Sequence, residues 1–417
     1  MEKPSRLLNR NFFLLWQGQL VSQTGNQVAI VAMLFWIEQT TDSASLVGLI
    51  MMVSALPSVL LGPIGGTFAD HYSRRAIIVY SDLFSGLAGL SLAGLIFIAP
   101  EKVNLILVWL FVVSSLIALF GSFFRPAITA AIPDIVPQNQ VARANSLNEA
   151  SEQIATFIGY GLGGVLFQFL GAPVLFLFNG LTFLFSAASE YFITIPQATP
   201  ASSTNWKQAF RKFQIDTAEG FRYLWHKDGM KALFLAAASL NVFAVPIFVL
   251  LPFYVKDFLR VSASWYGFLM AAFGAGCLAG YVTASVIRFS GKSRSTMMSL
   301  LVLGTSLALA GLGFVRIPLV ALLLMFGLGT MIGLVNVVAI TILQVTTPDY
   351  MRGRIFGLLG TLSQALTPLA MGLSGLIADW SSQNIPLIYI ACGGISLVIA
   401  ITLSMNQKLH DFLAYEQ

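Results

Sequence analysis

The sequence predicts an all-α polytopic membrane protein whose twelve transmembrane helices form two six-helix bundles related by pseudo-twofold symmetry. Three observations lead there. The first is composition: 57% of the 417 residues are hydrophobic and 10% are charged, against about 25% charged in a soluble domain. Mean hydropathy is +0.80. The second is length: a bilayer core of about 30 Å needs roughly 20 mainly apolar residues per helix, and about a dozen stretches between Asn11 and Met405 are that long. The third is an internal repeat. Pro137, Arg143, Leu147, Gln153, Gly161 and Gly164 recur at the same spacing as Pro348, Arg354, Leu358, Gln364, Gly372 and Gly375. Ala44, Ser45, Gly48 and Met51 recur as Ala263, Ser264, Gly267 and Met270 at the start of the second span of each half.

In chain order, the first half supplies spans over Asn11 to Ile37, Leu46 to Ala69, Ala76 to Ala99, Asn104 to Ile132, Ala144 to Leu170 and Ala172 to Ile195. The second supplies Met230 to Val255, Ser264 to Phe289, Ser295 to Val315, Pro318 to Ile342, Ile355 to Trp380 and Ile385 to Met405. The first run is too long and too rich in amides for a cleaved signal, and many others follow it. Three regions result: residues 1–195 as the N-terminal bundle, 196–229 as a linker, and 230–417 as the C-terminal bundle with a short tail. Within the linker, Trp206, Phe210, Phe213, Phe221 and Leu224 recur at helical spacing with Lys207, Arg211, Lys212, Arg222 and Lys227 between them. That pattern suits a helix lying in the membrane interface, or a solvated tether.

Lys and Arg stay on the cytoplasmic side of short loops. With the N-terminus inside, only Lys102, Lys256, Arg260 and Arg316 of the 23 Lys and Arg fall outside, so both termini are expected in the cytoplasm of a multi-pass cell-membrane protein. This bias also accounts for the formal charge of +5 without a nucleic-acid partner.

The loop after the second span reads Gly66-Thr-Phe-Ala-Asp70-His-Tyr-Ser-Arg74-Arg75. A glycine there allows close helix packing in lipid, and an acid at the membrane boundary seeks an arginine or the positive end of a helix. The run resembles the G-x-x-x-D-x-x-G-R-K/R signature of the major facilitator superfamily, with Ser73 in place of the usual glycine. The resemblance covers the whole chain: twelve spans, the 6+6 repeat and the long central loop. It implies that Gly66, Asp70, Arg74 and Arg75 act in gating, latching the halves in an outward-facing state. The same arginines would also serve as plain positive-inside anchors. In span five, Gly159-Tyr-Gly161-Leu-Gly163-Gly164 resembles the antiporter signature of exporters in this superfamily, with Tyr160 where proline is usual. Small residues that let helices touch explain the same letters.

Span one carries Gln19, Gln23 and Gln27 every four residues, with Trp16 and Asn26 on nearly the same face. An unpaired amide in hydrocarbon is costly, so the stripe should face protein or water, and a substrate cavity is one such place. Gln153, Asn179, Asn241, Asn336 and Gln364 are further cavity candidates. Intramembrane acids often mark ion paths, which makes Glu152, Asp82 and Glu149 the proton-coupling candidates, with Glu152 the deepest in its span. Each acid could equally form a structural ion pair with Arg74, Arg75, Arg125 or Arg143.

Cys277 and Cys392 lie in opposite halves, and His71, His226 and His410 are scattered, so neither a disulfide nor a metal site is expected. Ser290-Gly-Lys292-Ser293 lacks the glycine a phosphate loop needs at 286, where Val stands, and no cofactor is expected. The phrases Leu15-Trp16-Gln17-Gly18-Gln19, Phe124-Arg125-Pro126-Ala127 and Ala144-Asn145-Ser146-Leu147 look like the subgroup of macrolide-efflux and siderophore-export proteins. The resemblance implies a proton-coupled exporter of small amphipathic compounds, and twelve spans suffice for a monomer. An importer or lipid flippase on the same fold, or a membrane-embedded sensor or enzyme, remains open at this level.

Overall fold

Inside a bilayer a backbone amide has no partner but another backbone group, so each long apolar run closes its own helical ladder. The computed structural model describes residues 7–196, 218–286, 291–348, 351, 355 and 365–414. Ten helices among them are long and apolar enough to cross a membrane.

The helices are α1 (Arg10–Thr41), α2 (Ala44–His71), α3 (Arg74–Ile98), α4 (Val103–Ile135), α5 (Val141–Tyr191), α6 (Asp228–Val249), α7 (Ser264–Val286), α8 (Gly291–Leu312), α9 (Pro318–Thr346), α10 (Thr367–Trp380), α11 (Ile385–Ser404) and α12 (Gln407–Leu413). Predicted spans five and six are the two arms of α5. The break between them falls at Gly171, whose φ of 72° and ψ of 168° suit a residue without Cβ, two positions before Pro173. Predicted span eleven is seen in its second part as α10; Gln364 and most of the residues from 352 to 364 lie outside the described set. So do Trp206, Lys207, Phe210, Arg211, Lys212 and Phe213 of the linker.

The chain divides into two compact units, one of Met1–Asp42 with Ile50–Ser203 and one of Ser43–Leu49 with Thr204–Gln417. In the first unit, the ends of α1 to α4 meet in an apolar cluster that includes Phe12, Leu15, Ala69, Ile78, Ala127 and Ile132. Asn9 starts α1, accepting from the Phe12 amide at 3.1 Å and donating to the Ile135 carbonyl at 2.7 Å, so the same side chain ties α1 to the end of α4. Leu105, Val108, Trp109 and Val112 stand exposed along α4, as an apolar flank requires where the solvent is lipid.

In the second unit, Pro246 sits inside α6, which continues through Leu251–Phe253 into a π-turn at Tyr254–Phe258. There the fully buried Tyr254 hydroxyl donates to the Leu312 carbonyl at 2.8 Å, and Tyr389 donates to the Ile247 carbonyl at 2.9 Å. Their rings lie 5.1 Å apart. At the other end of the unit, Leu224, Met230, Leu233, Met298, Ile342, Leu409 and Leu413 form an apolar cluster. The described end of the linker therefore docks through Leu224, while Phe221 and Trp225 stack at 5.2 Å on its exposed side. The short α12 closes this cluster: Lys408 pairs with Asp228 at 2.5 Å, and His410 contacts the Ser295 hydroxyl at 2.6 Å.

A chain ended at Met405 is expected to lose about 2 to 4 kcal/mol of stability, because Leu409 and Leu413 are each almost wholly buried. Thermal unfolding in detergent checks this; an unchanged midpoint would show that α12 contributes nothing to the unit.

Candidate functional site

Helix α1 lies against both arms of α5, and small residues set the distance. A Cβ on Gly159 would fall 2.3 Å from Cβ of Gln27, and one on Gly163 would fall 2.8 Å from Cβ of Val31. On the second arm, a Cβ on Gly25 would fall 2.1 Å from Oγ1 of Thr182. Gly159 and Gly163, four residues apart, are thus a close-packing face, with Gly164 buried and Gly161 half-buried beside them.

This contact decides where the polar residues of α1 go. Trp16 donates to Ser151 Oγ at 2.5 Å, and Gln27 donates to Thr156 Oγ1 at 3.2 Å, both on the first arm. Gln17 donates to Ser189 Oγ at 2.9 Å on the second arm. Gln19 is 1% exposed and donates to Glu190 Oε1 at 2.8 Å, and Gln23 donates to Gln19 Oε1 at 3.2 Å. The stripe is therefore divided: Gln19 is enclosed within the first unit rather than facing a cavity, whereas Gln23, Asn26 and Gln27 are half-buried. Asn179, expected near substrate, is also enclosed at 3% exposure, because it lies on the inward face of the second arm.

The three acids expected from sequence are not brought together. Glu152 forms an ion pair with Arg125 across α4 and α5, and the arginine is largely exposed. Glu149 and Gln153 are exposed on α5. Asp82 of α3 is 2% exposed and lies beside Ser186, as does Glu190 at 0% exposed. Glu190 lies close to the predicted end of span six, where by sequence alone an acid reads as a boundary residue. Its signal was Ser186, four residues earlier on the same helical face.

At the Gly66 to Arg75 loop, Ser73 has φ −59° and ψ 111° and accepts from the Ala76 amide at 3.3 Å. The turn needs no left-handed residue, so serine replaces glycine and caps α3. Arg74 pairs with Asp134 at 2.5 Å and donates to the Ala130 carbonyl at 2.9 Å, while Arg75 reaches the Tyr191 carbonyl and lies 5.0 Å over its ring. Both arginines thus brace the loop against α4 and α5. Gly66 is half-buried in α2, and the side chain of Asp70 lies outside the described set.

In the second unit, Asn241 and Asn336 are exposed, Asn336 with Tyr281 as a hydrogen-bond partner. This unit also holds a polar cap absent from the sequence reading. Asp379 at the end of α10 accepts from the Ser43 hydroxyl at 2.9 Å, the Ala44 amide at 3.0 Å and the Ser45 amide at 2.9 Å. It therefore supplies the N-cap of α2 from a distant part of the chain, and Gly375 meets the Ala44 carbonyl one turn earlier. Among the described residues no group of three or more His, Cys, Asp or Glu could hold a metal, and Cys277 and Cys392 are free.

The sequence profile of the Major Facilitator Superfamily matches residues 15–371. The chain belongs to that superfamily. It is a transporter and not an enzyme. It is 26% identical over 376 residues to the multidrug efflux pump Tap of Mycolicibacterium fortuitum, covering 88% of each chain. It is 23% identical over 407 residues to macrolide efflux protein A of Streptococcus pyogenes, covering 95% of this chain and 96% of that protein. In fold it resembles a single-site mutant of the nucleoside transporter NupG, with a TM-score of 0.75 at 12% identity over 95% of this chain and 100% of the other. This superfamily member is therefore a multi-pass membrane protein, and its relatives include two proteins named for efflux.

Asp379→Ala is expected to destabilise the protein by about 1 kcal/mol through loss of the cap on α2, and Asp379→Asn, which keeps one acceptor, by less. Melting of the two variants in detergent decides it, and two midpoints equal to wild type would deny the cap any weight.

Proposed function

We propose that this protein exports small amphipathic compounds, of the macrolide or siderophore-like kind, across the cell membrane by alternating access driven by proton entry. It works as a monomer with both termini in the cytoplasm. The observation that carries the direction is the near full-length likeness to two proteins named for efflux. The half-buried amides Gln23, Asn26 and Gln27 and the exposed Gln153 supply substrate contacts in the first unit, and Asn241 and Asn336 supply them in the second. Amides and apolar side chains together bind amphipathic ligands without demanding one charge pattern.

Proton coupling draws support from the acids at membrane depth, since such groups are costly to keep there unless used. Gating by the Gly66 to Arg75 loop draws support from its bracing: Arg74 and Arg75 hold it to α4 and α5, so a movement of the loop would be shared by the whole first unit.

Inverted vesicles carrying the protein are expected to accumulate macrolides or amphipathic dyes when their interior is made acidic, and to lose the gradient-driven part when a protonophore is added. Accumulation by intact cells instead would mean import. No flux with any member of the panel would remove the amphipathic-compound assignment.

A further inference from the structure

Asp82, Glu190, Ser186 and Gln19 form a sealed polar cluster where α1, α3 and the second arm of α5 meet, with exposures of 2%, 0%, 0% and 1%. Its donors and acceptors do not balance. Two carboxylates present four oxygens, and the donors are one amide arm of Gln19, which is spent on Glu190 Oε1 at 2.8 Å, and the single hydroxyl hydrogen of Ser186. Asp82 Oδ2 and Glu190 Oε2 are buried, and the Ser186 hydroxyl stands beside both carboxyls with a single hydrogen to give. One hydroxyl hydrogen cannot compensate two enclosed carboxylates.

No cation nearby makes up the shortfall. On α1, the basic residue is Arg10 at the exposed start, and Glu38 lies far along the helix. On α3, Arg74 is bound to Asp134 and Arg75 to Tyr191. On α4, Arg125 is taken by Glu152, and on α5, Arg143 and Glu149 are exposed. Among the described residues neither carboxyl has a Lys or Arg partner. Two neighbouring carboxylates out of water cannot both stay charged at tolerable cost.

We propose that Asp82 and Glu190 together bind one exchangeable proton, and that this is the proton whose entry drives export. The assignment rests on the proton-coupled reading above and supplies its carrier. The bound proton neutralises one carboxyl and turns a doubly negative pair into a singly negative one. Release restores the repulsion. The effect reaches α1 by two contacts: Gln19 and Gln23 continue the hydrogen-bond chain from Glu190, and a Cβ on Gly18 would fall 2.9 Å from Ser186 Oγ, so that hydroxyl abuts the α1 backbone. Since the pair is sealed, exchange requires α1 or α3 to move, which links proton traffic to conformational change.

Infrared difference spectroscopy on the purified full-length protein tests the binding step without any substrate. Wild type is expected to show one protonated-carboxylic-acid band that disappears on raising the pH, to shift it in Asp82→Asn and in Glu190→Gln, to lose it in the double variant, and to keep it unchanged in Glu152→Gln. Absence of a pH-dependent band in wild type overturns the proposal whatever the variants do, and so does its loss in Glu152→Gln alone. Displacement of the band by sodium at constant pH would make the cluster a metal-cation site and overturn the proton assignment. In vesicles, Glu190→Gln is expected to abolish gradient-driven macrolide accumulation. If wild type shows the band but its accumulation ignores the pH gradient, proton binding stands and the proton-coupled reading fails.

Discussion

The close contact of α1 with both arms of α5 is the interaction on which the first unit depends. Lipid tails are as apolar as leucine, so helices in a membrane gain little from hiding apolar surface against one another and associate by close fit and hydrogen bonds. Gly25, Gly159 and Gly163 provide the fit, since a Cβ at any of them would meet atoms of the facing helix at under 3 Å. That approach then brings Trp16 to Ser151, Gln17 to Ser189, Gln19 to Glu190 and Gln27 to Thr156. The polar residues of α1 are tolerated in the membrane because the glycines bring partners within reach.

Charged residues in this protein are of two physical kinds. Those at helix ends are fixed by a partner: Arg74 with Asp134, Lys408 with Asp228, and Asp379 with the first amides of α2. Such groups hold loops and terminal turns in place, and at exposed positions each is worth little in isolation. Asp82 and Glu190 are the other kind, enclosed and, among the described residues, without a basic partner. An apolar pair of similar volume there would avoid the cost of enclosing two carboxyls.

Much of the architecture was legible in the sequence because lipid imposes one rule on every residue of a span. Apolar runs gave the helices, the gap between Leu170 and Ala172 marked the break at Gly171, and the Gly66 to Arg75 run pointed to the superfamily that the profile match then established. The use of each polar side chain was less legible. A stripe at four-residue spacing covers a broad face, and nothing in the spacing says that Gln19 turns to the second arm of α5 while Gln27 turns to the first. Glu190 and Asp379 lie near the ends of their spans, where an acid looks ordinary, yet one is enclosed and the other caps a helix distant in the chain.

The sequence by itself determined what crosses the membrane, where the chain repeats and which superfamily it joins, because those follow from local hydropathy and from short contiguous motifs. Only the tertiary structure decided which acids are paired, which amides are enclosed and what caps α2. Those depend on groups far apart in the chain being brought within hydrogen-bond distance, and a one-dimensional pattern carries no record of that distance.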